Sequence, residues 1–275
     1  PFAWASLNAT QQALLNTDPD TLTADTLGED RVEYLRGNDD LELQEGGTFR
    51  DRIRKLGDLI NSSPAYVGVP NFGYPDWLER FEDTSNPRSL TNGSAESYSD
   101  FIARMAALGS GAGREPMIYV GSNDGMLHGF TANPDIALGG IEKLAFVPNE
   151  VYTTLGQLTS PDYTHRYYVD GSPTAADVMF ADNRWHSMIA GGLNGGGRGI
   201  YALDVTDQTA FSEANAANIF LWEIGATGDF ADLGFTYSRP AIVKNHSGTN
   251  AYTYESGEGE WITVFGNGYA SAAGK

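Results

Sequence analysis

The densest chemistry in the sequence is a run of carboxylates. Asp39, Asp40, Glu42 and Glu45 lie within seven residues, and oxygen ligands of this kind suit a hard cation such as calcium. Their spacing departs from a D-x-D/N-x-D/N-G loop, and Arg50, Arg52 and Arg54 follow closely enough to neutralise them instead. The expectation is that Asp39 to Glu45 holds no metal tightly. The second chemical candidate is the glycine run from Gly191 to Gly199. A phosphate cradle needs G-x-x-x-x-G-K-S/T and a helix after it, whereas a strand pattern follows here, so a glycine-rich β turn is the better reading. The histidines His128, His165, His186 and His246 are scattered. His128 alternates with Leu127 in a strand pattern, which suits a hydrogen-bonded sheet residue better than a ligand. No G-x-S-x-G, no H-E-x-x-H and no paired acid and base is present, so no residue is assigned to catalysis or to a cofactor.

The element that organises the chain is Tyr119-Val-Gly-Ser-Asn-Asp-Gly-Met-Leu-His-Gly-Phe130. Met117 to Val120 and Met126 to Thr131 read as strands, with Asn123-Asp124-Gly125 supplying the positive φ angles of a tight hairpin. Both strands carry apolar side chains on both faces, which places the hairpin in a stack of small sheets, as in a propeller. Residues 1–57 read as a partly helical lead-in, with helical spacing from Glu29 to Leu35 and a break at Asp18-Pro19. The β region, 58–275, opens near Pro64 and is interrupted by an insertion at 70–113. Within the insertion, Ser97 to Leu108 has the spacing of a helix, and Phe101, Ile102, Met105 and Leu108 share one face.

Further strands are expected at Glu142 to Val147, Arg166 to Val169, Pro173 to Phe180, Trp185 to Gly191, Gly199 to Val205, Ile219 to Ile224, Arg239 to Val243 and Trp261 to Gly266. They form a degenerate repeat. Ser63-Pro64, Ser172-Pro173 and Pro240 open its units, and Gly121, Gly191 and Gly266 end the second strands. Trp185, Trp222 and Trp261 read as packing anchors at comparable positions rather than as sugar platforms.

Composition bounds the function. With 17 Lys and Arg against 36 Asp and Glu, the net charge is −19, which repels nucleic acid and anionic lipid. Gly at 33 residues and aromatics at 12% fit short strands joined by tight turns. Cysteine is absent, which excludes disulfides and thiolate metal sites. No apolar run reaches membrane-spanning length.

The hairpin motif, Gly191-Gly-Leu-Asn-Gly-Gly-Gly-Arg-Gly-Ile-Tyr-Ala-Leu-Asp-Val-Thr206 and Val264-Phe-Gly-Asn-Gly-Tyr269 together resemble the C-terminal propeller of type IV pilus tip adhesins and biogenesis factors of the PilY/PilC type. Tyr34-Leu-Arg-Gly37, Gly46 to Arg52 and Gly57 to Pro64 resemble that family's entry into the propeller. The Arg36-Gly37-Asn38 found here is not the Arg-Gly-Asp of some members. The resemblance implies an all-β propeller with quinoprotein-dehydrogenase-like blades. It also implies a non-enzymatic role in pilus biogenesis and adhesion, at the surface, pilus tip or outer membrane of a Gram-negative bacterium. Implied partners are pilin or minor pilins, other assembly components and the host-cell surface. Calcium is implied for a loop that would fall after Lys275. A quinone-dependent dehydrogenase using pyrroloquinoline quinone shares the blade type, and a periplasmic scaffold is a further alternative. The strands suffice for about two blades and the first half of a third, fewer than a closed propeller needs. The rest of the propeller is therefore expected as a further segment beyond Lys275.

Overall fold

The structure, a computed structural model, describes residues 1–76, 78, 95–245 and 261–271. His246, Lys275 and residues 79–94 of the expected insertion lie outside the described residues. The strands form two four-stranded antiparallel sheets. In the first, β1 (Ala65–Val67), β2 (Met117–Gly121), β3 (Leu127–Thr131) and β4 (Glu142–Phe146) are neighbours in chain order. The second repeats the pattern with β5 (Thr174–Met179), β6 (Trp185–Gly192), β7 (Gly199–Asp204) and β8 (Phe220–Gly225). A pair, β9 (Ala241–Lys244) with β10 (Trp261–Val264), follows.

Burial follows position in the sheet. In β2, β6 and β7 nearly every residue is buried, so these strands read as continuous apolar runs rather than alternating ones. The fourth strands β4 and β8 are half exposed. Each third strand also shifts register against the fourth, at Gly129/Phe130 and at Ala202/Leu203, the local kink expected of a β-bulge. A tyrosine faces a glycine across the central strand pair in both sheets, Tyr119 opposite Gly129 and Tyr201 opposite Gly191. A Cβ on Gly191 would lie 2.3 Å from the Tyr201 hydroxyl, so the ring occupies the space that the missing side chain leaves.

Three expectations are corrected. Asn123-Asp124-Gly125 does not supply several positive φ angles, since Gly125 alone is left-handed, at +96°. With the Ser122 amide bonded to the Met126 carbonyl, the loop has three residues and needs one such position. Arg166 to Val169 is not a strand. Its apolar residues Tyr168 and Val169 are fully buried, but their amides bond to Asn123 Oδ1 and to the Ser122 carbonyl rather than to a ladder. The three tryptophans are not equivalent, because Trp185 and Trp261 open second strands whereas Trp222 lies in the outer strand β8. The partly helical lead-in also contributes to the core. Helices α1 (Ala9–Leu15) and α2 (Gly28–Leu35) place Leu15 and Val32 in the same core as Met117, Tyr119, Leu127 and Ile189.

Helix α3 (Tyr98–Ala106) starts at Ser97, whose hydroxyl accepts the Asp100 amide, and it runs as its spacing predicts. Phe101 and Met105 are fully buried, with Ile102 and Leu108 packed at the margin. The helix docks on Trp185, which also stacks on Tyr74 at 5.3 Å and meets Trp261 edge-on at 5.9 Å. The insertion thereby joins the second sheet to the third pair.

Candidate functional site

The polar groups concentrate on the face where second strands end, third strands begin and the connectors enter first strands. Ser62, just before β1, donates to the Gly171 carbonyl at 3.0 Å and accepts the Gly121 amide at 2.8 Å. Ser238, before β9, accepts the Gly266 amide at 2.8 Å in the corresponding way. Neighbouring connectors are tied side by side. The Asn61 amide and side chain both donate to the Asp170 carboxylate, at 3.1 and 2.6 Å, and the Ser63 amide donates to Ser172. Each connector also holds the preceding sheet. Asn123 accepts from the Tyr168 amide at 3.0 Å, and Thr236 takes the Leu193 amide at 2.9 Å and donates to the Gly199 carbonyl. The glycine run is therefore a docking loop. A Cβ on Gly192 would lie 2.7 Å from the Thr236 carbonyl oxygen, so the loop must be bare to let the connector in.

Two histidines sit in matched carboxylate clamps. His128 lies between Asp124, four residues earlier in the hairpin turn, and Glu142 on β4, at 3.0 and 2.5 Å. His186 lies between Asp182, again four residues earlier, and Asp204 on β7, at 3.2 and 2.7 Å. Burial pulls the His128 imidazolium down, but the hydrogen bonds and charges of Asp124 and Glu142 more than offset this and raise it to about 9. His186 is raised for the same reason. The His128 ring is thus held charged near neutrality, which suits fastening rather than proton transfer, and His186 is biased in the same direction. The D-x-x-x-H spacing common to both clamps is visible in the sequence and is the signal that would have found them.

The acidic run is dispersed. Glu42 is buried, and its carboxylate takes the Arg52 side chain at 2.7 Å and the Arg52 amide at 3.0 Å. Burial pushes the Glu42 carboxyl up, but these bonds hold it below its usual value. The Arg52 guanidinium also lies 3.5 Å above the Tyr34 ring. Asp39 reaches Lys55 at 3.3 Å, Asp40 bonds Asn38, and Glu45 is exposed. Asp39, Asp40, Glu42 and Glu45 thus do not converge, and the set does not fit a calcium ion. Among the described residues no group of three or more His, Asp or Glu is arranged to hold a metal.

A third cluster lies buried between the sheets, where Tyr98 and Ser187 both donate to Asp177, at 2.6 and 2.5 Å, and Arg114 donates to Ser187 at 2.8 Å. Burial pushes the Asp177 carboxyl up and leaves it unsuited to open-site chemistry. Beside the connectors a cavity of 340 Å³ is lined by Tyr34, Arg54, Lys55, Leu158, Tyr163 and His165, among others. Taken together, the connectors and hairpin ends are laced by hydrogen bonds, and the carboxylates named bond to amides, hydroxyls and cations.

Repeated small antiparallel sheets joined by such connectors define a β-propeller domain, and residues 56–274 match the family model described as the PilY1 beta-propeller domain. The chain belongs to this family. It is 40% identical over 276 residues to the type IV pilus biogenesis factor PilY1 of Pseudomonas aeruginosa, an alignment covering 98% of this chain and 20% of that protein. A PilY1 homolog of Xylella fastidiosa is 38% identical over 250 residues, covering 89% of this chain and 14% of its own length. The crystal structure of the P. aeruginosa PilY1 C-terminal domain is similar at a TM-score of 0.49 and 33% identity, covering 76% of this chain and 32% of that one. The chain thus spans about a fifth of the length of the P. aeruginosa relative. No helix among the described residues is long and apolar enough to cross a membrane.

Proposed function

We propose that this chain is the propeller part of a non-catalytic type IV pilus biogenesis factor that acts outside the cytoplasm. The observation that carries this reading is the family match over residues 56–274, together with 40% identity along nearly the whole chain to a protein of that role. In this reading the laced face and the core hold a platform, and partners read its exposed loops. The partners are pilin or minor pilins with other assembly components, the wider role includes attachment to surfaces, and further propeller segments complete the ring. Calcium control is assigned to other parts of the protein, since Asp39, Asp40, Glu42 and Glu45 do not converge. The test is deletion of the gene and counting of surface pili. Loss of pili, restored by the intact gene, is the expected result, and normal piliation overturns the proposal. A quinone-dependent dehydrogenase would instead reduce a dye when pyrroloquinoline quinone and calcium are added, and no such reduction is expected.

A further inference from the structure

We infer that the segment Ile53–Leu56 is a docking loop for an acidic, partly apolar stretch of a partner protein. The loop is pinned at both ends. Before it, the Arg50 amide bonds the Thr159 carbonyl at 2.9 Å, and the Arg52 side chain is spent on Glu42 and on the carbonyls of Tyr34 and Asn38. After it, the Gly57 amide bonds Asp124 at 2.8 Å. Between these anchors, the main-chain groups of residues 53–56 make no hydrogen bond among the described residues. A stretch held at both ends, with its main-chain groups open, can offer those groups to an incoming chain.

Its side chains define what that chain must be. Ile53 is completely exposed, at 102%, and Leu56, Leu59 and Ile60, further along the chain, are partly exposed at 42%, 44% and 50%. Arg54 makes no ion pair among the described residues, and Lys55 reaches only the exposed Asp39. Of the four cations in residues 50–55, Arg52 is spent on the buried Glu42 and Arg50 lies over Tyr163, so the loop offers an anion Arg54 and the half-exposed Lys55, in a chain of net charge −19. The occupant must therefore bring both anions and an apolar side chain. An anionic bilayer offers both, but it is repelled by the acidic remainder of the chain. A protein segment confines its negative charge to the loop and escapes that penalty.

The test uses the intact protein and two labelled synthetic peptides, one alternating glutamate with leucine and the other lysine with leucine, read by fluorescence anisotropy. The glutamate peptide should bind about tenfold more tightly than the lysine peptide and should weaken as salt is raised. Arg54→Glu with Lys55→Glu should abolish or reverse that preference at unchanged Tm. Ile53→Ser should weaken the glutamate peptide with no change in charge. Equal binding of the two peptides, or a preference that survives the double charge reversal, overturns the inference. So does binding to phosphatidylserine vesicles that is lost with the charge reversal while peptide binding is unaffected, which would assign the loop to lipid.

Discussion

Gly196 lies so close to Tyr168 that a Cβ on the glycine would sit 1.6 Å from the tyrosine's main-chain oxygen. On the other side of the same connector, a Cβ on Gly121 would sit 2.1 Å from the Val169 oxygen. The connector is thus clamped between the hairpin ends of two successive sheets. Backbone cannot yield as a flexible side chain can, so Gly196→Ala and Gly121→Ala should each destabilise by about 2–3 kcal/mol. Urea unfolding checks this, and an unchanged midpoint for both variants would show that the connector is not clamped.

Stability should fall at alkaline pH because of the histidine clamps. His128 is raised from 6.5 to about 9, so the folded state holds its proton more tightly than the unfolded state does. That contribution is complete below about pH 6.5 and is lost as the pH rises through about 9, amounting to about 1–3 kcal/mol. His186, also raised, adds a loss of the same sign. Melting curves across this range should show the decline, and His128→Gln should flatten it. An equal slope in the variant would locate the effect elsewhere.

Removing the Glu42 carboxylate should leave Arg52 buried without its anion, since the side chains are only 1% and 8% exposed. Glu42→Ala is expected to cost about 3–5 kcal/mol, the range for breaking one half of a buried pair. Changing Asp39, Asp40 and Glu45 together to amides should leave calcium affinity unchanged by calorimetry. A lost calcium isotherm would show that the acidic run gathers around an ion after all.

The insertion helix should tolerate change on one face only. Met105 is fully buried beside Phe101 and Trp185, so Met105→Asp should destabilise by roughly 2–4 kcal/mol. An unaltered thermal midpoint would mean that the helix does not hold the second sheet.

Much of this architecture is legible in local pattern. The strands around the Asn123-Asp124-Gly125 turn are short apolar runs bounded by glycine, and α3 shows itself through Phe101, Ile102, Met105 and Leu108 because helical spacing is a property of neighbours in the chain. The sequence also placed Arg52 near enough to neutralise the acidic run, since only ten residues separate it from Glu42.

Pairings over long separations could not be read in this way. Asn61 and Asp170 are 109 residues apart and meet only because two sheets bring their connectors side by side. Arg166 to Val169 has the composition of a strand, and only the tertiary structure gives its amides to hairpin ends. Trp222 likewise has the residue type of Trp185 and Trp261 but belongs to an outer strand. By itself, then, the sequence determined most of the β elements, the insertion helix, the acidic character and the family, all of which rest on local patterns. The tertiary structure alone decided which carboxylate meets which cation or amide, because a charge takes its partner from space rather than from sequence order, and burial sets the strength of that choice.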